Sequence, residues 1–138
     1  MTAAQVESVM LACIPLAREF FQLDKAWKII VRSNPDIGGA QIMIRNGYRD
    51  ATLEYGLGLE TAEQAWEIAA HEVAHVALAE LLVFKSHVAA HLEEDKLPAT
   101  LELAFTLAME SMVSRLADIF VSACPCPFVS NVVKLQAL

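Results

Sequence analysis

An apolar run free of proline and glycine extends from Ala65 to Leu82, with His71-Glu72-Val73-Ala74-His75 in its middle. No other segment constrains the fold as much. Ahead of it, Thr61-Ala62-Glu63-Gln64 has the form of a capping box, in which Thr and Gln side chains satisfy free N–H groups of a first helical turn. Ala65, Ile68, Ala69, Ala70, Val73, Ala74, Ala77, Leu78, Leu81 and Leu82 keep the run apolar, so the pattern predicts a buried helix. Two imidazoles and a carboxylate in such a helix need partners that offset their desolvation. Residues four apart share a helical face, so His71 and His75 can reach one metal ion. Glu72 projects beside them, where it can polarise a metal-bound water. The competing account is a core helix whose histidines are satisfied by neighbouring side chains.

Length and charge narrow the classes. A chain of 138 residues forms one domain with one core. The apolar fraction is high, at 56%. Yet Glu67, His71, Glu72, His75 and Glu80 interrupt one apolar run, and Glu102, Glu110, Arg115 and Asp118 the other. Neither reads as a membrane span, and no membrane partner is expected. The start, Met1 to Glu7, has no basic stretch of the kind that opens a secretory signal. Net charge is −7 and the ten Lys and Arg residues are scattered, which argues against nucleic acid as a partner. Three cysteines, Cys13, Cys124 and Cys126, are an odd number and point to a reducing, cytoplasmic compartment. Cys124-Pro125-Cys126 lacks a second Cys/His pair at finger spacing and reads as an apolar tail with incidental thiols.

The rest of the chain reads as α+β. Val6, Val9, Met10, Cys13, Leu16, Ala17 and Phe20 predict an N-terminal helix over about 4–21, which Pro15 should kink or divide. Trp27 to Arg32 is a β-rich run closed by Asn34-Pro35-Asp36 and Gly38-Gly39. Ile42 and Ile44 then alternate with Gln41, Met43 and Arg45. Asn46-Gly47 supplies a two-residue turn, and Ala51, Leu53 and Tyr55 alternate with Asp50, Thr52 and Glu54. The expected product is a small three-stranded antiparallel sheet. Phe84 to Leu97 is polar and holds His87 and His91, again four apart. That pair lacks an internal glutamate and reads as part of a solvated connector or short helix. Pro98 suits the first turn of a last long helix running to about Val121, apolar around most of its circumference and so expected to be buried.

A metal site needs a third protein ligand. The metzincin pattern would place glycine and histidine where this chain has Leu78 and Leu81, which excludes it. The alternative is a glutamate on a following helix. Glu110 fits, lying between Leu103, Leu107, Val113 and Ala117, where a carboxylate is costly unless paired or metal-bound. Its competing roles are a salt bridge to Arg115 or a surface glutamate that snorkels to solvent. Glu102, nearer the helix start, suits the helix dipole.

His71-Glu72-Val73-Ala74-His75 followed by Glu110 resembles the gluzincin branch of the zincin superfamily of metallopeptidases. The order of helix, small sheet, pentad helix and glutamate helix is similar to compact domains of the ImmA/IrrE kind and related small phage-encoded proteins. The resemblance covers residues 20 to 121, with 122–138 as a tail. It implies Zn2+ held by His71, His75 and Glu110, with Glu72 as general base in cleaving a peptide bond of an intracellular protein. It also implies a substrate strand laid along a sheet edge within residues 40–55. Thermolysin-like members often carry an aspartate four residues after the ligand glutamate; here that residue is Ser114. SprT-like proteases share the pentad, but the acidic balance disfavours that branch. Tyr48, Tyr55, His87 and His91 are candidates for a transition-state donor. The alternative function is a non-catalytic, zinc-stabilised interaction module, such as a mobile-element or phage regulator or assembly component.

Overall fold

Two capping boxes fix where helices begin. Thr2 and Gln5 exchange side-chain and backbone hydrogen bonds to open α1 (Ala3–Phe20), and Thr61 and Gln64 do the same for α2 (Ala62–Ala77). Between them run β1 (Lys28–Ser33), β2 (Ala40–Arg45) and β3 (Asp50–Tyr55), and α3 (Ala79–His91) and α4 (Ala99–Ala123) follow. The computed structural model describes residues 1–91 and 98–128. Residues 92–97, the end of the polar connector, and 129–138 of the tail lie outside the described residues.

α2 is the central element. α1 packs on one side of it, α4 on another, and β2 and β3 also meet it. Its alanines at 62, 65, 69, 70 and 74 are fully buried, and such small side chains let neighbouring backbones approach closely. Trp66 fills the space beside them, stacking on Phe120 and donating its indole N–H to the Cys124 carbonyl at 2.9 Å. α1 runs unbroken through Pro15, so the division expected there does not occur. Burial of Val6, Val9, Met10, Cys13 and Ala17 in the same core as α2 offsets the roughly 3 kcal/mol that an interior proline costs a helix.

The sheet is mixed, which corrects the antiparallel expectation. Its order is β1-β3-β2, with β1 parallel and β2 antiparallel to the central β3. β3 is the strand with the most buried side chains, Ala51, Leu53 and Tyr55 among them, so burial favours it in the middle. The residues read as a turn after β1 instead carry the chain over the end of β3. Asn34 N–H donates to the Tyr55 carbonyl at 2.8 Å, and Gly56 N–H donates to the Gly39 carbonyl at 2.7 Å. This crossing requires glycine underneath, because a Cβ at Gly56 would fall inside the Ile37 carbonyl and one at Gly58 inside that of Gly38. Gly56→Ala should therefore destabilise the chain by about 2–3 kcal/mol, as overpacking does, and a shift in denaturant midpoint will measure it. An unchanged midpoint would show that the crossing loop yields freely.

Three further expectations change in detail. The β2–β3 connection spans residues 46–49, and its left-handed residue is Arg49 (φ 49°), tied to Asp24 at 2.8 Å, rather than Gly47. The pentad helix ends at Ala77, and α3 departs at 41°, so no single helix among the described residues is long and apolar enough to cross a membrane. α4 is buried along one stripe only, at Met109, Val113, Ala117 and Phe120. Leu103, Leu107 and Ile119 are 60%, 61% and 56% exposed, because α4 packs on the body chiefly through α2.

Candidate metal centre

The helical spacing of His71 and His75 sets their rings on one face of α2, with centroids 5.1 Å apart at 69°. Ala74 of α2 packs with Met109 and Val113 of α4, and that contact carries Glu110 across the histidine pair. Glu110 Oε1 lies 3.1 Å from His75 Nε2, and its Oε2 lies 3.5 Å from His71 Nε2. One donor atom from each residue falls within 4.8 Å of the others. Tetrahedral zinc with bonds of about 2.0–2.1 Å sets its ligand atoms about 3.3 Å apart. The two His–Glu separations bracket that value, each to a different oxygen of the Glu110 carboxylate, and the donor types are those that zinc takes.

Glu72 projects beside this group and is only 8% exposed. Burial, and then the neighbouring Glu110 charge, push its carboxyl from an ordinary 4.5 up to about 7. Burial also holds the His75 imidazole low. The Glu110 carboxylate opposes that shift and His71 adds to it.

These shifts predict a pH dependence for the metal-free chain. Glu72 has its folded value raised, so its stabilising protonation is complete below 4.5 and is lost as pH rises through about 7. By linkage, that loss amounts to about 3 kcal/mol. His75 works in the opposite sense, favouring the fold as pH rises through the ordinary histidine range. Subtracting the Glu72→Gln profile from that of the wild type, in denaturant titrations with chelator present, isolates the carboxyl. A difference that stays flat between pH 5 and 8 would contradict a buried, protonated Glu72.

An open cleft of about 550 Å³ reaches His71, Glu72, His75 and Glu110, walled by β2, α3 and α4. Ile42, Ile44, Leu82 and Met109 make it apolar, while Gln41, Lys85 and Thr106 are polar groups on its wall. β2 borders it and, among the described residues, is an edge strand paired only to β3. A second opening of about 560 Å³ lies on the far side of His71, between α2 and α4, and holds Ser114.

The other residues singled out in the sequence lie elsewhere. His87 lines a separate hollow with Trp27 and Arg49, and His91 is exposed near the end of α3. Tyr48 is exposed under the Arg45 guanidinium, and the buried Tyr55 donates its O–H to the Ala3 carbonyl. None of these four candidate donors lines the cleft. Glu102 accepts from Lys85 at 2.7 Å, and Cys13 is buried with its thiol toward the Trp66 carbonyl. Gln41, Lys85 and Thr106 were invisible from sequence, since each stands in an ordinary polar position of its element.

No known protein family matches this chain, and neither does any curated protein or solved structure.

Proposed function

We propose that this chain is a zinc-dependent peptidase of gluzincin type, with His71, His75 and Glu110 as metal ligands and Glu72 as general base. The observation that carries the reading is the convergence of three metal-ligating side chains, with donor atoms within 4.8 Å of one another, beside a buried carboxyl in one cleft. Zinc, when bound, supplies Lewis acidity toward a scissile carbonyl and acidifies water. Glu72 takes a proton from the attacking water at its carboxylate oxygen and passes it to the departing amine nitrogen. Among the described residues β2 is an edge strand bordering the cleft, so an extended protein segment can add to the sheet there and lie across the metal site. The three free thiols are in keeping with an intracellular substrate.

A non-catalytic interaction module is the second reading, favoured by the exposed apolar side of α4. Exposing a peptide digest of a cellular proteome to the zinc-loaded protein decides between them. A peptidase generates new peptide termini, visible by mass spectrometry, that disappear with chelator and return with zinc. Identical peptides in every arm would leave the interaction module standing.

A further inference from the structure

Lys85 is the only lysine or arginine among the described residues that line the metal-site cleft. Its neighbours there include the two acidic residues Glu72 and Glu110, in a chain of net charge −7. With zinc bound, the metal would offset the Glu72 and Glu110 charges, and Lys85 would be the basic side chain left to receive an anionic group away from the metal. We infer that Lys85 is the anion-recognising residue of the cleft, so that substrates seat a carboxylate, either a free C-terminus or an acidic side chain, against the α3–α4 wall. The inference rests on the peptidase reading and deepens it by naming a substrate class.

The lysine is held ready for that role. Its side chain is 24% exposed, and its ammonium lies 2.7 Å from Glu102 Oε1 and 5.3 Å from the centre of the Phe105 ring. Glu102 occupies one of three ammonium donors, leaving others for a ligand. Ordering a long, rotamer-rich side chain before binding removes a cost that a free lysine would bear on complexation. The Ile42, Ile44, Leu82 and Met109 lining lowers the local dielectric, which strengthens a charge–charge contact relative to open water. Glu102 is the competing acceptor. It is partly exposed, and exposed ion pairs contribute little, so an incoming carboxylate can share or displace it.

The test uses the full zinc-loaded chain and three short apolar peptide hydroxamates, which anchor on the metal. One ends in a carboxamide, one in a free carboxylate, and the third is the carboxamide form with a single aspartate. Calorimetry should show a carboxylate probe binding about tenfold tighter than the neutral one, the scale of one hydrogen bond to a charged group. Whichever carboxylate gains more identifies the source, C-terminus or side chain. Lys85→Gln should erase the preference, whereas Glu102→Gln, by freeing the ammonium, should increase it. A merely structural ion pair predicts a different pattern, since both changes break the same contact and would shift all three probes together, leaving the preference unchanged. Equal affinities for neutral and anionic probes, or a preference surviving Lys85→Gln, overturn the inference alone. A neutral hydroxamate that fails to bind the zinc-loaded chain overturns the metal-site reading and this inference with it.

Discussion

Zinc at a hundredfold excess over its dissociation constant should stabilise this chain by about 2.7 kcal/mol, raising its unfolding temperature by roughly 10 °C. The stabilisation arises because His71, His75 and Glu110 are brought together only in the folded chain, across the α2–α4 contact. Elemental analysis of the purified protein should find about one zinc per chain, and His71→Ala or His75→Ala should remove both metal and thermal shift. Glu110→Gln is the sharper variant. It keeps the shape of the side chain and loses the anionic ligand, so zinc should bind markedly more weakly while the metal-free stability changes little. Glu102→Gln and the double change His87→Ala, His91→Ala should leave zinc affinity intact, because those residues stand at Lys85 and outside the cleft. A chain that neither carries zinc nor gains stability from it would refute the site, whatever the geometry suggests.

Much of the fold was legible because local signals agreed with the tertiary arrangement. The alternation of Ile42 and Ile44 with Gln41 and Met43 gave β2 at its observed bounds, and Thr61 with Gln64 gave the start of α2. The β1–β3 pairing was not legible. Nothing in Asn34-Pro35-Asp36 or Gly38-Gly39 distinguishes a hairpin turn from a crossing loop; the difference lies at Gly56 and Gly58, on the far side of the contact. α4 misled for a related reason. A helix that is apolar all round reads as buried, yet the residues of α4 that are buried form one stripe, and Leu103, Leu107 and Ile119 stay exposed.

The site divides along the same line. His71, Glu72 and His75 share one helix, so their relation is fixed by helical geometry and visible in sequence. The leucines and valine around Glu110 set it apart in the sequence, and in the fold its carboxylate reaches the histidines. The reason differs from the one the pattern suggested, since Leu103 and Leu107 are exposed and Glu110 sits at the border between the buried stripe and the open face. Lys85 depends on the 41° departure of α3 from α2, a bend with no proline or glycine to announce it.

Glu72→Gln should retain one zinc per chain and lower the rate of peptide cleavage by about 10²–10⁴-fold, the usual contribution of a positioned general base. The glutamine side chain would preserve volume beside His71 and His75 and offer no basic oxygen. Ligand geometry, set by the α2–α4 packing of Ala74 with Met109 and Val113, should be unaffected. The metal-free variant should also be the more stable of the two at pH 8, because wild-type Glu72 must then hold a buried charge. The separation of effects is what gives the variant its force. Loss of zinc together with activity would make Glu72 a structural support of the metal site. Cleavage at the wild-type rate with zinc retained would remove Glu72 from the reaction and require another base. Retained zinc, raised stability at high pH and lost cleavage together are expected only if the carboxylate that burial disfavours is the group that moves the proton.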